Sequence, residues 1–375
     1  MSRRRWLALD LLRGLAVLLM IQGHTFTALL RPSEYAGSWS RWHSLLHGLT
    51  APMFLLGGGL AYGFVTMRNP ARSGLRVVRR AGMLLALGYL LQFPNSSPII
   101  WLRDPALRAG AMRVGPLQLI GACLLLCELI RAFTRTRRQL VTALCVQALA
   151  IALSAPVVWK VHASQSALYP LGAWFDGYAG SLFPFFPWAV FFLVGVMVSF
   201  TVVSVLESGS SEPRAAAWLC IGGVLASGMA YGAFLYGHVL ESWYGTHEIW
   251  HTNPLYVVFR AGVVLAGLGA LWLLEPSLQR LWRSGRRVES VLTSLSQESL
   301  VAYVAHLLVL YGTPLTLGLV HGGPRFSIAA ASAISLALVL FTLGVVLVWQ
   351  RLPRRALFRS PVDRNGNSGS GTQRE

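Results

Sequence analysis

The sequence predicts an all-α membrane protein, a polytopic bundle of about ten transmembrane helices. Hydrophobic residues make up 54% of the 375 residues and charged residues only 12%, too few to cover the surfaces of several soluble domains. Apolar stretches of about 17 to 25 residues, the length that crosses a bilayer core, recur along the chain. The 32 Lys and Arg residues cluster between these stretches. This clustering is typical of membrane topology next to lipid, and a nucleic acid partner is not expected.

The ten predicted spans follow one another without a long soluble insert. They lie near residues 7–30, 48–67, 77–94, 115–130, 139–159, 182–206, 215–238, 254–274, 295–314 and 327–350. The amphipathic segment between the third and fourth spans can re-enter the membrane. We therefore expect one membrane domain at 1–360 and a disordered cytoplasmic tail at 361–375, where Gly, Ser and Asn dominate.

The distribution of basic residues predicts the topology. Basic residues near helix ends stay on the cytoplasmic side of a membrane. With the N-terminus inside, 23 of the 32 basic residues lie in cytoplasmic segments and seven lie outside. The basic start resembles a signal peptide, but Asp10 and Arg13 interrupt the apolar run, so the first span is expected to be retained. The prediction is a multi-pass protein of the cell inner membrane with both termini cytoplasmic.

The nine histidines avoid the predicted cytoplasmic loops. Six fall in predicted outer loops, His24 and His238 lie at the outer ends of spans, and His306 lies within the ninth span. An imidazole exchanges protons near neutral pH, so a general base is expected on the outer face.

The first span carries three polar residues on one helix face. Asp10 and Arg13 are three residues apart and can neutralise each other. His24 follows Arg13 by eleven residues, about three turns or roughly 16 Å along the same face. Ionisable groups are costly in hydrocarbon, so His24 is expected to face a cavity or the bundle interior. The stripe suits an enzyme whose donor and acceptor arrive from opposite sides; the alternative is a structural ion pair with a packing histidine.

At these residues the chain resembles the heparan-alpha-glucosaminide N-acetyltransferase family and its bacterial homologues. The run Leu-Asp-x-x-Arg-Gly-x-Ala at 9–16 is similar to the start of that family's first helix. The spacing from Arg13 to His24 is also similar to the motif of bacterial membrane sugar O-acyltransferases, in which that histidine is taken as the catalytic base. Further similar segments follow in order at 47–54, 113–121, 183–188 and 299–306.

The resemblance implies transfer of an acyl group, usually acetyl, from cytoplasmic acyl-CoA to a hydroxyl or amine of an extracytoplasmic carbohydrate. The family's active-site histidine lies in the first outer loop, where this chain has His43 and His47, and the family has asparagine where this chain has His24. His24 and His47 are therefore both catalytic candidates. His43, Gln118 and Trp188, which lie in or near the similar segments, are expected to bind the acceptor.

Two chemical routes stay open at this point. A histidine within reach can take the proton that the acceptor loses as it attacks the thioester. Alternatively, one histidine can carry the acyl group, which gives ping-pong kinetics. On the cytoplasmic side the donor-site candidates are Asp10, Arg13, Arg79 and Arg80. Arginine binds phosphate well, and Asp10 accompanies Arg13 on the same helix face. Arginines on this side of a membrane also set the topology and contact anionic lipid. No metal is expected, and a homodimer is left open.

One motif favours a different enzyme. His247, Glu248 and His251 form H-E-x-x-H, the signature of zinc metalloproteases. The signature needs more than a turn of helix to bring both histidines to one metal. Gly245 before it and Pro254 after it leave little room for that helix. A membrane zinc metalloprotease is therefore the weaker alternative, with acceptor binding or plain surface as the other interpretations.

A transporter of a small or lipid-linked solute is the other alternative. Arg260 and Glu298 fall within predicted spans, where each needs a partner or a wet cavity. The chain shows no sequence repeat of the kind that many transporters have. Glu128, near the inner end of its span, is expected to pair with an arginine. The glycines at 57–59 and Gly63 are expected to permit close helix packing.

Overall fold

The chain folds into α-helices joined by short turns. This description comes from a computed structural model, in which residues 6–35, 37–69, 74–93, 98–166, 169–208, 211–236, 238–283, 287–313 and 316–352 are described. The predicted tail at 361–375 lies outside the described residues.

Long helices alternate with short helical segments along the chain. In chain order the helices are α1 (Leu7–Leu29), α2 (Ser38–Arg68), α3 (Gly74–Leu91), α4 (Pro98–Arg103), α5 (Pro105–Ala111), α6 (Pro116–Phe133), α7 (Arg137–Trp159), α8 (Tyr169–Gly172), α9 (Phe185–Ser208), α10 (Glu212–Leu235), α11 (His238–Tyr244), α12 (Ile249–Thr252), α13 (Pro254–Arg283), α14 (Arg287–Gln297), α15 (Ser299–Tyr311) and α16 (Ile328–Arg351). Strands β1 (Gly312–Thr313) and β2 (Thr316–Leu317) form a small antiparallel hairpin. Short 3-10 turns occupy Pro32–Tyr35, Ala163–Gln165 and Leu319–Gly322.

Among the described residues, eight helices are long and apolar enough to cross a membrane: α1, α2, α6, α7, α9, α10, α13 and α16. The predicted all-α polytopic bundle is therefore confirmed. The other two predicted spans are helices of a different character. Helix α3 has 18 residues but carries three arginines, and the ninth predicted span is interrupted at Glu298, so that α15 has only 13 residues.

Helix α1 pairs with α2 as an antiparallel hairpin. The rings of Trp6 and Phe64 stack with centroids 5.5 Å apart near one end, and the rings of His24 and His47 lie 6.4 Å apart near the other. We call these two ends of the bundle the Leu7 side and the Leu29 side, after the residues at which α1 begins and ends. Because the connection between the two helices is short, they pack side by side in opposite directions.

The start of α1 is held by a carboxylate from a distant helix. Glu275 of α13 is 2% exposed and accepts a hydrogen bond from the backbone N–H of Ala8 at 3.3 Å. The first N–H groups of a helix have no partner within it, and the helix dipole favours negative charge there. The predicted eighth span stops at 274, one residue short of this carboxylate.

Glycines bring α2 and α9 into close contact. A Cβ atom at Gly59 would overlap the carbonyl oxygen of Phe192, and one at Gly63 would overlap the hydroxyl of Ser199. Gly195 of α9 meets the backbone of α2 in the same way. The packing role predicted for these glycines of α2 is confirmed, and it holds the middle of α9 beside α2.

Candidate active site

Two histidines from helices far apart in the sequence meet on the Leu29 side. Nδ1 of His24 on α1 lies 3.0 Å from Nε2 of His306 on α15. Their rings stack with centroids 5.3 Å apart. His306 is fully buried, whereas His24 is partly exposed. Helix α15 runs parallel to α1, because Ser299 at its start contacts Arg13.

The hydrogen bonds determine which ring nitrogen of each histidine carries a proton. Nδ1 of His306 lies 2.8 Å from the carbonyl oxygen of Ala302. A carbonyl only accepts, so this nitrogen donates, and in the neutral ring Nε2 of His306 is an acceptor. With both rings neutral, His24 therefore donates through Nδ1. Nε2 of His24 keeps a lone pair that can take a proton or attack a carbonyl carbon.

A second pair of histidines extends this cluster along α2. His47 packs against Gly23 so closely that a Cβ atom there would overlap its ring. The imidazole ring of His43 stacks on that of His47 at 6.0 Å. Within the described part of the chain, the buried Nδ1 of His47 has no hydrogen-bond partner. His47 thus approaches His24 across the α1–α2 hairpin.

Aromatic rings flank the far end of the histidine cluster. The ring of His43 stacks on Phe26 at 5.2 Å and meets Trp39 edge to face at 5.6 Å. The amide nitrogen of Gln22 donates to Nε2 of His43 at 3.0 Å. His43 is thus oriented by α1 and by its own helix, and its role in acceptor binding stays a prediction.

Trp188 and Arg260 border the cluster on α9 and α13. Trp188 is 7% exposed, and its Nε1 has no hydrogen-bond partner among the described residues. The guanidinium of Arg260 lies 5.5 Å from the Trp188 ring centroid and 4.0 Å from that of Tyr256. The predicted partner of the intramembrane Arg260 is therefore a pair of ring faces, which attract a cation through their negative quadrupole. Acceptor binding by Trp188 stays a prediction.

On the Leu7 side the two charged residues of α1 bind serines. Ser296 donates to Asp10 at 2.9 Å, and Arg13 donates to Ser299 at 2.8 Å. These serines flank Glu298 at the junction of α14 and α15. Both charges stand out in the sequence as ionisable residues within a span, whereas the two serines carry only one signal, their place on either side of an intramembrane carboxylate.

The predicted donor-site arginines lie on α3. Arg79 and Arg80 are exposed. Arg80 is close enough to Arg13 for the two positive charges to repel. The fold thus brings Arg80 and Arg13, separated by more than 60 residues, to one place on the Leu7 side, where a phosphate can offset their repulsion. Their binding of acyl-CoA stays a prediction.

Glu128 on α6 has the arginine partner that the sequence predicts. Nη2 of Arg131 lies 2.6 Å from a carboxylate oxygen of Glu128. The hydroxyl of Tyr62 on α2 donates to the other oxygen at 2.8 Å. This prediction is confirmed, and the network joins α2 to α6.

Gln118 caps the start of α6, in which it is the third residue. Its side-chain oxygen accepts from the backbone N–H of Gly115 at 3.2 Å, and its amide nitrogen donates to the carbonyl of Arg113 at 3.5 Å. It is 1% exposed and packs tightly on Gly88. This geometry explains Gln118 as a helix cap, and acceptor binding by it stays a prediction.

The H-E-x-x-H segment does not form the helix that the metalloprotease signature needs. Helix α12 begins only at Ile249, so His247 and Glu248 precede it. His247 donates to the carbonyl of Gly245 at 2.9 Å, and His251 stacks on Trp159 at 5.7 Å. The two histidines therefore do not share the face of one helix. Over the described ranges, no group of three or more His, Cys, Asp or Glu side chains is placed to hold a metal ion.

Comparison with known proteins gives one family match. The family described as "Heparan-alpha-glucosaminide N-acetyltransferase, catalytic" matches residues 5–231, more than half of the chain. The matched part contains His24, His43 and His47, whereas His306 and Arg260 lie beyond it. No curated protein matches the chain.

Proposed function

The chain belongs to the heparan-alpha-glucosaminide N-acetyltransferase catalytic family, and from this we propose that it transfers an acetyl group from acetyl-CoA to a carbohydrate across the membrane. Membership supports a multi-pass membrane acetyltransferase that acts on sugar-type substrates. It also favours an enzyme over the transporter suggested by Arg260 and Glu298. The observation that carries the finer proposal is the position of His24 at the end of α1 opposite Arg13, where donation from Nδ1 to His306 leaves the lone pair on Nε2.

The donor is proposed to bind on the Leu7 side. Arg79 and Arg80 bind the phosphates of acetyl-CoA there, since guanidinium groups form paired, charge-assisted hydrogen bonds with phosphate. The protein is proposed to lie in the cell inner membrane. Its Leu7 side is proposed to face the cytoplasm, because most basic residues flank that side. The thioester then has to reach His24, which lies eleven residues or roughly 16 Å beyond Arg13 along α1.

The transfer step uses His24 as a general base. An acceptor hydroxyl, or an amine in its neutral form, attacks the acetyl carbon while Nε2 of His24 takes its proton. The carbon–sulfur bond breaks, and the departing CoA thiolate receives that proton. His306 accepts a hydrogen bond from Nδ1 of His24 throughout, which keeps the reacting ring in one orientation and tautomer.

His47 and His43 are proposed to contact the acceptor. The buried Nδ1 of His47 has no hydrogen-bond partner in the described residues, and a buried polar atom of that kind is costly unless something binds it. A sugar hydroxyl next to His24 supplies such a partner. The row of rings from His47 through His43 to Trp39 continues this surface toward the end of the bundle.

The proposal is tested by supplying membranes or purified protein with radiolabelled acetyl-CoA and counting label in the carbohydrate fraction. His24→Ala is expected to lower kcat by about 100- to 10,000-fold, with acetyl-CoA affinity little changed, because proton transfer matters only in the transition state. His321→Ala, which removes an exposed histidine from the turn after β2, serves as the matched control. If His47→Ala abolishes turnover while His24→Ala keeps most of it, the assignment of the base to His24 is wrong.

A second measurement separates the two routes. In direct transfer no acetylated protein accumulates when acetyl-CoA is supplied without acceptor. If His24 instead attacks the thioester, labelled protein appears under those conditions and the label is lost in His24→Ala.

A further inference from the structure

Arg260 is a partly buried cation of α13 that no carboxylate in the described part of the chain neutralises. It lies six residues after the start of α13, on the Leu29 side. Its guanidinium lies over the rings of Tyr256 and Trp188 and beside the backbone of Gly48. Across the described ranges, no Asp or Glu oxygen lies within 4.0 Å of it. This distinguishes Arg260 from Arg131, whose carboxylate partner lies on the same helix.

Such an arrangement is costly without a further partner. A charged side chain in the membrane interior is disfavoured, and ring faces offset only part of that cost. A guanidinium has five N–H donors, and ring faces are weak acceptors for them. The positive charge of Arg260 also acts on His251, which lies outside the span. Burial is the larger cause of the lowered pKa of His251, and the charge of Arg260 is the second.

Further polar groups without partners lie on the two helices, α2 and α9, that contact Arg260. In the part of the chain that the structure describes, the indole Nε1 of Trp188, the hydroxyl of Thr50 and Nδ1 of His47 are buried without a hydrogen bond. Trp188 is at the Leu29 end of α9, and Thr50 and His47 are on the half of α2 that lies on the Leu29 side. The indole and the guanidinium only donate, so a ligand rich in acceptors suits this region best.

The Arg260 region adjoins the proposed reaction site. Gly48, beside the guanidinium, directly follows His47 in α2. His47 in turn packs on Gly23, and its ring lies 6.4 Å from that of His24. One acceptor molecule can therefore contact Arg260 with one group while its hydroxyl or amine meets His24.

We infer that Arg260 binds an oxyanion of the acceptor, a carboxylate or a phosphate, and that the acceptor is thus an anionic sugar. This inference rests on the proposed function, because it takes the acceptor to bind on the Leu29 side. The two or three oxygens of such a group match the fork of donors in a guanidinium, and the indole N–H of Trp188 adds another donor. A neutral sugar would leave the charge of Arg260 uncompensated. The family match ends at residue 231 and so does not include Arg260.

Binding to matched sugars tests the inference without relying on acetyl transfer. The purified full chain in detergent is titrated with glucosamine against glucosamine 6-phosphate, and with glucose against glucuronate, by microscale thermophoresis. One pair examines phosphate and the other carboxylate. At least one anionic sugar is expected to bind about tenfold more tightly than its neutral partner, the effect of a single hydrogen bond to a charged group.

Variants assign that preference to Arg260. Arg260→Gln is expected to remove the preference for the anionic sugar, and Arg260→Lys to keep part of it, since lysine keeps the charge but loses the fork. Trp188→Phe keeps a ring under the cation and is expected to weaken anion binding about threefold through loss of one N–H donor. Arg41→Gln, which removes an exposed arginine near the start of α2, should bind like the unaltered chain.

Two outcomes overturn the inference. One is the absence of any preference for an anionic sugar in the unaltered chain, and the other is a preference that persists in Arg260→Gln. Acetyl transfer without an anion preference contradicts this inference alone. An anion preference in a protein that transfers no acetyl group contradicts the proposed function instead.

Discussion

At the Leu7 end of α1, the buried charges and the first backbone N–H find partners within the chain: Asp10 binds Ser296, Arg13 binds Ser299, and the N–H of Ala8 binds Glu275. Among the described residues, the indole Nε1 of Trp6 at this end is buried without a hydrogen bond. The Leu29 end differs in its ionisable groups. There, among the described residues, Nδ1 of His47 and Nε1 of Trp188 are buried without a hydrogen bond. A buried polar group that is satisfied stabilises one arrangement of helices, whereas one that is not costs free energy until a ligand binds it. We therefore expect the paired charges beside α1 at the first end to stabilise the fold, and the proposed acceptor site lies at the second end.

The largest expected effect tests the structural role of the Leu7 end. Asp10→Ala removes the carboxylate that offsets the charge of Arg13, and the free energy of unfolding should fall by about 3–5 kcal/mol. Denaturant unfolding in detergent measures it. Glu34→Ala, which breaks the exposed pair with Arg31, should cost less than about 1 kcal/mol.

A double variant makes this test sharper. Asp10→Asn combined with Arg13→Gln should destabilise the chain less than the two single changes added together, because no buried charge is left alone. Equal losses in Asp10→Ala and Glu34→Ala would show that the Leu7 end does not depend on its buried charges.

The next effect tests the positioning role of His306 at the Leu29 end. His306→Ala removes the acceptor for Nδ1 of His24, and kcat should fall about 100-fold, equivalent to about 2.7 kcal/mol, with KM for acetyl-CoA little changed. His306→Gln offers an amide oxygen in place of Nε2 and should restore part of kcat. Initial rates at varied acetyl-CoA, with thermal unfolding as the control for folding, measure both.

A purely structural His306 would behave differently. Both substitutions would then lower the stability and the yield of folded protein without a split between kcat and KM, and His306→Gln would give no rescue.

A smaller effect is expected where the Leu7 side meets the donor. Replacing both Arg79 and Arg80 by Gln should raise KM for acetyl-CoA about tenfold with kcat little changed, as for the loss of one or two exposed charge-assisted contacts. Arg138→Gln removes another exposed arginine, at the start of α7, and should leave KM unaltered. If the variant without Arg79 and Arg80 had the same KM for acetyl-CoA as Arg138→Gln, the arginines of α3 would serve topology alone.

The smallest effect concerns the H-E-x-x-H segment at 247–251. Glu248→Gln should change the transfer rate by less than about twofold, since Glu248 is exposed and precedes α12. Purified protein should hold far less than one zinc ion per chain by atomic absorption. Stoichiometric zinc together with peptide cleavage that depends on Glu248 would contradict the acetyltransferase proposal.

Much of the fold was predictable because local sequence encodes it. The length of an apolar run decides whether a helix can cross a bilayer, and eight predicted spans meet that criterion in the described residues. The ninth of the ten predicted spans does not, because Glu298 separates α14 from α15. Hydropathy averaged over the span does not detect this break. Helical periodicity likewise placed Asp10, Arg13 and His24 on one face of α1.

The partners of those residues were not predictable from the same patterns. His306 stood out as a histidine within a span, but nothing local indicates that it meets His24 across 282 residues. Ser296 and Glu275 carry weaker signals still, since a serine or a carboxylate near a helix end is ordinary.

By itself, the sequence determined that this protein is a helical membrane bundle with a polar stripe on its first helix, because hydrophobic length and helical period act within a single segment. Only the tertiary structure decided which helices face that stripe. The rotation and depth of each helix depend on packing against its neighbours, as where glycines let α2 approach α9. That packing places His306 behind His24 and leaves Arg260 without a carboxylate from the described residues, and the proposed reaction and acceptor both depend on those two positions.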